Sequence, residues 1–420
     1  MTTTERHTFR WHSSGRSANG MGPGVRQGAV GNGEVAPSRD SFEPVCSLCT
    51  SGTVAARLIT AAFSCAMTLR VLHVDSGREW RGGQRQVYLL ARGLRMRGDE
   101  PLVAAFPDAP LIRRLRSVGV AASPLRMRAD WDIAAARRLR ALVRAWKPDL
   151  LHAHDARAHA IALAALFGRR HIPLVVTRRV TFTPKGRLKY GKRVARFIAI
   201  SCAVRDAMLR GGVDPQRIDV VYSGVPKPSV EHPRDWRSER SWDRDSIVLG
   251  VVGAMTSEKG VHLLAEIANA VSPEIAGRVR LVLLGGKATG AERIGTFEAY
   301  RAGFVYEPHA AMAGFDLLLH PSSAEGLGTS LIDAMALGVP PIAFAVGGIP
   351  ELVVDGEVGV LVPGGDVTAF ARAIDRLVTD TPYRQLLSTH GPARAAVFSV
   401  DQMIEGTSAV YSKVVAGVRS

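Results

Sequence analysis

From residue 69 onward, short apolar runs alternate with amphipathic segments, in the repeating order strand then helix. Apolar runs of four to eight residues bounded by turn residues read as strands buried on both faces, the mark of a parallel sheet covered by helices. Such runs lie at 69–75, 102–106, 120–125, 148–154, 174–182, 197–201 and 218–222, with helical periodicity at 87–97, 111–118, 133–146 and 203–210. Between 226 and 245 the alternation stops, and Pro, Trp, Arg, Asp and Glu take over. A second series opens at 247–253 and continues with a helix at 261–271 and strands at 280–284, 302–306 and 315–320. A strand follows residue 339, then one at 360–362, a helix at 366–378 and a last helix at 402–415. Two consecutive strand–helix series joined by one irregular stretch predict two doubly wound α/β domains.

Residues 1–66 lie outside this pattern. Gly, Ser, Arg and Thr dominate to about Asp40, a composition that cannot bury enough apolar surface to fold. The apolar stretch 54–66 carries Arg57 and is too short to span a bilayer. The natural start of the first strand is Met67. The expected organisation is a disordered extension (1–66), a first Rossmann-like domain (67–225), a linker (226–245), a second Rossmann-like domain (246–398) and a terminal helix (399–420).

Charge narrows the partners. The chain of 420 residues carries a formal net charge of +16, which points to anionic ligands or an anionic membrane surface. The densest basic run holds Lys185, Arg187, Lys189, Lys192, Arg193 and Arg196, interleaved with Tyr190 and Phe197. No helix-turn-helix or RNA-binding signature accompanies it, so nucleic acid is not an expected partner. Four cysteines make no disulfide framework in a chain this long. Cys46 and Cys49 form a C-x-x-C without a second pair, and Cys202 falls in the first turn of a helix, where packing is its expected role. His152 and His154 share one strand face, but the other histidines are scattered in the sequence, so no metal is expected.

The most informative stretch is 320–338, His-Pro-Ser-Ser-Ala-Glu-Gly-Leu-Gly-Thr-Ser-Leu-Ile-Asp-Ala-Met-Ala-Leu-Gly. It reads as strand end, glycine-bearing loop and helix. Gly326 and Gly328 allow close backbone approach of a ligand, and Thr329 or Ser330 is the expected helix cap. The free N–H groups and positive dipole end of that helix suit a phosphate. Glu325 and Asp333 stand eight residues apart, roughly 12 Å if the interval is helical at ~1.5 Å per residue. That span suits two carboxylates holding opposite ends of one long ligand. A glycine pair, Gly82-Gly83, sits at the turn after the first strand, without the G-x-G-x-x-G of simple dinucleotide binding.

Together with 339–356 and the Glu-Lys-Gly at 258–260, this stretch resembles the donor-binding core of family 4 glycosyltransferases. The resemblance covers about 69–415 and implies a GT-B fold: α/β, with two Rossmann-like domains facing each other across a cleft. It implies a retaining enzyme that moves a sugar from a nucleotide-diphosphate sugar, with no metal and no further cofactor. Glu325 matches the first acid of the family's Glu-x7-Glu motif, which holds hydroxyls of the transferred sugar. Asp333 stands at the second, which holds the ribose. Lys259 matches the lysine on the donor diphosphate. Gly82, Gly83, Gly326, Leu327, Gly328 and Thr329 fall at donor-contacting positions, and His154, or else His152, matches a histidine facing the sugar. The family's arginine near Lys259 is replaced by Ala254, so Arg78, Arg81 or Arg85 would have to supply that charge. The segments Glu-Trp-Arg-Gly-Gly-Gln and Thr-Arg-Arg-Val resemble the bacterial branch that builds lipopolysaccharide and other surface glycans. This implies a glycan or lipid-linked acceptor and a cytoplasmic protein, peripheral on the inner face of an anionic membrane. A nucleotide-sugar 2-epimerase of the same fold and a non-catalytic glycan- or membrane-binding scaffold are the alternatives.

Overall fold

The computed structural model describes residues 68–169, 171–186 and 189–419. The expected extension, the Cys46–Cys49 pair and Arg187 of the basic run lie outside the described residues.

The first half is a seven-stranded sheet: β1 (Arg70–Asp75), β2 (Glu100–Ala105), β3 (Ala121–Pro124), β4 (Leu150–Ala153), β5 (Leu174–Arg178), β6 (Arg196–Ala199) and β7 (Ile218–Val220). Their order is β3-β2-β1-β4-β5-β6-β7, and every pairing is parallel. The second half repeats the plan with β8 (Ile247–Val252), β9 (Val279–Leu284), β10 (Gly290–Ile294), β11 (Phe297–Gly303), β12 (Leu317–His320), β13 (Pro341–Phe344) and β14 (Val360–Val362). Here the order is β10-β11-β9-β8-β12-β13-β14, with only the edge strand β10 antiparallel. Among the parallel strands of each sheet the order reverses once, at β1/β4 and at β8/β12. Ligands of open α/β sheets bind at such switch points, beyond the carboxyl ends of the strands.

Several helices form where apolar periodicity meets a side-chain cap. Ile133–Trp146 matches the predicted span, because the Asp132 carboxylate accepts from Ala135 N–H at 2.9 Å and fixes its start. Helix Gly82–Met96 begins five residues earlier than the predicted 87, so the glycine pair forms its first turn instead of a loop. The strand expected at 302–306 forms earlier, as Phe297–Gly303, and several elements go beyond the predicted set, three of them with a clear reason. Helix Ala156–Ala165 is rich in alanine and lacks a polar stripe, β10 is a short polar edge strand, and helix Thr381–Ala396 is broken in pattern by Pro392.

The stretch 226–245 is not a free linker. It contains helix Trp236–Arg240, and Trp236 is fully buried. Its indole Nε1–H donates to the Ala311 carbonyl at 2.8 Å, and its ring stacks on Phe315, which ties the stretch to the second sheet. The last helix, Val400–Arg419, leaves the second half and packs on the first. Met403, Ile404, Val410, Tyr411 and Val414 join Val71, Leu150, Val175 and Ile198 of the first sheet in one apolar cluster. The crossing is close: a Cβ at Gly224 would lie 2.5 Å from the Ser399 carbonyl oxygen. Gln86 pins the same point, its amide donating to Gly224 O at 2.8 Å and its carbonyl accepting from Gly224 N–H at 3.0 Å. No helix among the described residues is long and apolar enough to cross a membrane.

Trp236→Ala is expected to cost about 3–5 kcal/mol of unfolding free energy, the range for emptying a buried aromatic site. Trp131→Ala, at a side chain 83% exposed, should stay within about 0.5 kcal/mol. Urea denaturation of the two variants checks both values.

Candidate functional site

The site forms where β12 ends. Its loop, 321–328, runs between the halves and then enters helix Thr329–Ala336. Gly328 is the residue before that helix, in the left-handed region at φ 96°, and no side chain caps the helix. The expected cap by Thr329 or Ser330 is thus not made: Thr329 is the first helical residue, and its N–H groups stay available. Only half of the Glu325–Asp333 interval is helical, so the two acids are not ends of one continuous helix.

The backbone passes very close to the first half at Gly326. A Cβ there would lie 2.0 Å from the Arg179 carbonyl oxygen, so only glycine fits. Ser201 Oγ donates to the Gly326 carbonyl at 2.7 Å. One helix further on, Glu351 accepts from the N–H groups of Cys202 and Ala203 at 2.7 and 2.8 Å, which seats its charge on the N-terminus of helix Cys202–Arg210. Cys202 is buried there, in the first turn, as its sequence position predicts.

Glu325 turns toward Lys259, with which it forms an ion pair, and accepts from His320 Nε2 at 3.2 Å. Burial pushes the Glu325 carboxyl up, but the His320 hydrogen bond and the Lys259 charge outweigh it and hold it at about 2. Lys259 reaches this position because Gly260, at φ 69°, lets the turn press against Pro321, whose carbonyl oxygen would be 1.8 Å from any Cβ. Lys259, Glu325 and the loop 326–328 thus lie together, with Lys259 paired to Glu325, a contact that the sequence reading does not contain.

Asp333 is arranged differently from expectation. Its carboxylate is 5% exposed and is held by Arg85 from the first half, with one contact at 3.0 Å to Oδ1, and by His309 Nε2 at 3.0 Å. Both oxygens are thus engaged within the protein, and a ribose would have to share or displace Arg85. The reason is the alignment of two helices. The start of Gly82–Met96 lies beside the start of Thr329–Ala336, with a Cβ at Gly82 only 3.5 Å from Thr329 Oγ1. One turn along each helix brings Arg85 opposite Asp333. Two positive helix ends therefore meet in the cleft.

His154 also departs from expectation. It is 2% exposed and lies in a cluster with His73 and His152, so it does not stand free at the cleft. Register places His73 of β1 directly beside His152 of β4, and His154 follows two residues on, on the same face. His73 Nδ1 and His154 Nε2 share a hydrogen bond at 2.9 Å, while His152 bonds Tyr411 Oη at 2.6 Å and Thr177 Oγ1 at 2.7 Å. The histidines are not scattered in space, because His73 lies 81 residues before its partner but on the neighbouring strand. Their ligand atoms fall within 4.8 Å of one another, the donor count of a metal site. Most of those nitrogens are already spent on hydrogen bonds; His73 Nε2 and His154 Nδ1 have no partner.

Of the arginines expected to replace the missing cation at Ala254, only Arg85 is held in a buried ion pair; Arg78 and Arg81 make weaker, solvent-facing contacts. Arg78 stacks over Phe106 at 4.5 Å, Arg81 pairs with Glu79 at 2.7 Å, and Arg85 is held by Asp333.

Burial sets the protonation of the histidines. It lowers His73 to about 3, and it lowers His152 and His154 well below the ordinary range, with neighbouring imidazoles and Arg179 adding to the effect. The unfolded chain takes up protons on these groups near pH 6.5. Below that pH the unfolded state binds more protons, so stability falls as pH drops. Each such histidine contributes a slope of about 1.4 kcal/mol per pH unit between its unfolded and folded values. His73→Gln is expected to make the pH 6.5–5 slope of unfolding free energy shallower by about one proton, read from denaturation curves across that range.

Comparison with known proteins sets this geometry in context. A family model described as "Glycosyltransferase Family 4" matches residues 80–227, and one described as "Glycosyl transferases group 1" matches 246–380. A D-inositol 3-phosphate glycosyltransferase of Stackebrandtia nassauensis is 32% identical over 224 residues, covering 48% of this chain and 50% of that protein. The Mycobacterium bovis protein of the same name is 30% identical over 227 residues, covering 49% and 45%. The chain thus spans about half the length of the curated relatives it matches. Among solved structures, Anabaena HepE in complex with UDP and glucose superposes with a TM-score of 0.71 at 21% identity, over 82% of this chain and all of that one. Sucrose-phosphate synthase from Thermosynechococcus elongatus gives 0.69 at 18%, over 83% and 99%. At these identities the likeness is one of fold, which is GT-B.

Proposed function

Because the chain belongs to the family 4 glycosyltransferases, we propose that it moves a sugar from a nucleoside-diphosphate sugar to an acceptor hydroxyl, with retention of configuration. The observation that carries this reading is the meeting of two helix N-termini beside the Lys259–Glu325–His320 chain. The bond from the anomeric carbon to the diphosphate breaks, and a bond to the acceptor oxygen forms on the same face. The acceptor's proton passes to a diphosphate oxygen. A diphosphate leaves without a strong acid, so the need is for positive charge where negative charge grows. Lys259 and the N–H groups of 328–330 supply it. Glu325, ionised throughout the neutral range, orients hydroxyls of the transferred sugar.

Several features bear on the substrates. The HepE structure holds UDP, which supports a uridine donor as the first to try. The curated relatives are named for a phosphorylated polyol acceptor, which supports an anionic acceptor. The acceptor we favour is carried on a membrane-linked glycan. The rim of the first half exposes Trp131, Ile133, Val180 and Phe182, with Arg126, Arg128, Lys185 and Lys192 among them. Lys189 ties the two segments together through Asp130 at 3.3 Å. Aromatic and basic groups side by side suit a peripheral site on an anionic bilayer.

Glu325→Ala is expected to lower turnover by about ten- to a hundredfold or more, the loss of charge-assisted bonds to substrate, in a protein that still folds but melts lower because Lys259 and His320 lose their partner. Sugar transfer assayed with a panel of UDP-, GDP- and ADP-sugars reads it; full turnover in the variant would refute the role of Glu325. Separately, the protein should sediment with phosphatidylglycerol vesicles and not with phosphatidylcholine vesicles. Trp131→Ala combined with Phe182→Ala should weaken that binding severalfold, whereas equal binding to both vesicle types would rule the membrane surface out.

A further inference from the structure

Resting on the reading above, we infer that Arg179, at the exit of β5, binds the donor's diphosphate and supplies the positive charge that the sequence lacks at Ala254.

Several independent placements converge on it. Its carbonyl oxygen packs against Gly326, in the loop that carries Glu325. Its side chain runs along the first turn of helix Gly82–Met96, where a Cβ at Gly83 would lie 3.8 Å from its Cδ and 3.9 Å from its Nε. It thus stands at the point where the two helix N-termini meet, directly over the β1/β4 switch point. Its charge is felt by His152 and His154 below, which it helps keep neutral.

Arg179 is also unspent. Among the described residues its side chain makes no ion pair and no hydrogen bond, and its buried Nε has no partner. A guanidinium so placed calls for an oxyanion, because a buried donor left unpaired costs about 1–3 kcal/mol. The two carboxylates in its field are engaged elsewhere. Asp155 accepts from Ser76 N–H and Oγ–H at 2.6 Å and caps helix Ala156–Ala165 through Arg157 and Ala158 N–H at 2.9 Å. Asp75 accepts from Gly77 N–H at 2.9 Å and from the Gln84 amide at 3.0 Å. Burial first, then the Asp155 charge, raise Asp75 to about 6, so it is mostly ionised at neutral pH and acts on Arg179 through its charge alone, without a hydrogen bond. Arg85, on the same helix, is already held by Asp333, and Arg81 pairs with Glu79 at the surface. A planar guanidinium reaches two oxygens of one phosphate at once, which a lysine cannot do.

The competing role is structural: Arg179 as a distant counter-charge for Asp75 and Asp155, with no ligand. Titration calorimetry with UDP, GDP and ADP and with uridine, guanosine and adenosine separates the two. Wild-type protein is expected to bind at least one nucleoside diphosphate. For that nucleotide, Arg179→Gln should weaken binding about ten- to a hundredfold, as for the loss of a charged bidentate contact. Binding of the parent nucleoside should be unchanged, and Arg179→Lys should recover part of the loss. An unchanged diphosphate affinity in Arg179→Gln, with or without a drop in melting temperature, overturns the inference and leaves the transferase reading standing. Equal weakening of nucleoside and diphosphate also overturns it, since the charge would then not be the cause. Wild-type protein that binds none of the three diphosphates overturns both.

Discussion

How closely two backbones pass at Gly326 decides the rest of the junction. With the Arg179 carbonyl oxygen 2.0 Å from where a side chain would begin, no other residue could bring the second half's loop so near the first half's sheet. From that contact follow the Ser201 hydrogen bond to the same peptide, the seating of Glu325 against Lys259, and the entry of helix Thr329–Ala336 beside helix Gly82–Met96. Each is a small term alone. Together they fix the separation of groups that come from positions some 240 residues apart, as the Arg85–Asp333 pair does at a sequence distance of 248.

That closeness has an electrostatic consequence. Two helix N-termini, Lys259, Arg85 and Arg179 gather positive charge in one place, and the protein answers it internally with Glu325 and Asp333. The two acids therefore neutralise these cations in the absence of a ligand, and on the proposed reading they turn to its hydroxyls once a diphosphate takes over the neutralisation. On this view the short reach of Asp333, one methylene less than the glutamate of the resembled family, goes with its capture by Arg85 and His309.

Much of this was legible in the sequence because local chemistry and global fold agree. The strand-then-helix order and the glycines at 326 and 328, one at a close backbone approach and one at positive φ before a helix, are signalled within a few residues of themselves. Asp132 and the apolar period after it fix a helix to the residue. What was not legible depends on neighbours far away in the chain. His73 is one polar residue in an apolar strand until register sets it beside His152. Trp236 looks like linker until the Ala311 carbonyl and the Phe315 ring are in place around it. The early start of helix Gly82–Met96 has no cap and two poor helix formers, so only its packing against β2 and the last helix explains it.

The same division bears on the missing arginine at Ala254. Position in a motif is a statement about one strand–turn segment, whereas charge at a cleft is a sum over every element that ends there. Strands β1, β4 and β5 of the first sheet and β8 and β12 of the second all direct their carboxyl ends toward one space. A cation lost from the turn after β8 can thus be replaced from the exit of β5 without changing either motif. The cost of a buried guanidinium is borne by a burial that lowers Arg179 to about 10, still far above neutrality, so the charge persists wherever the fold persists. A lysine in the same surroundings would sit closer to losing its proton, and an uncharged residue would leave the anion to Lys259 and the helix N–H groups alone.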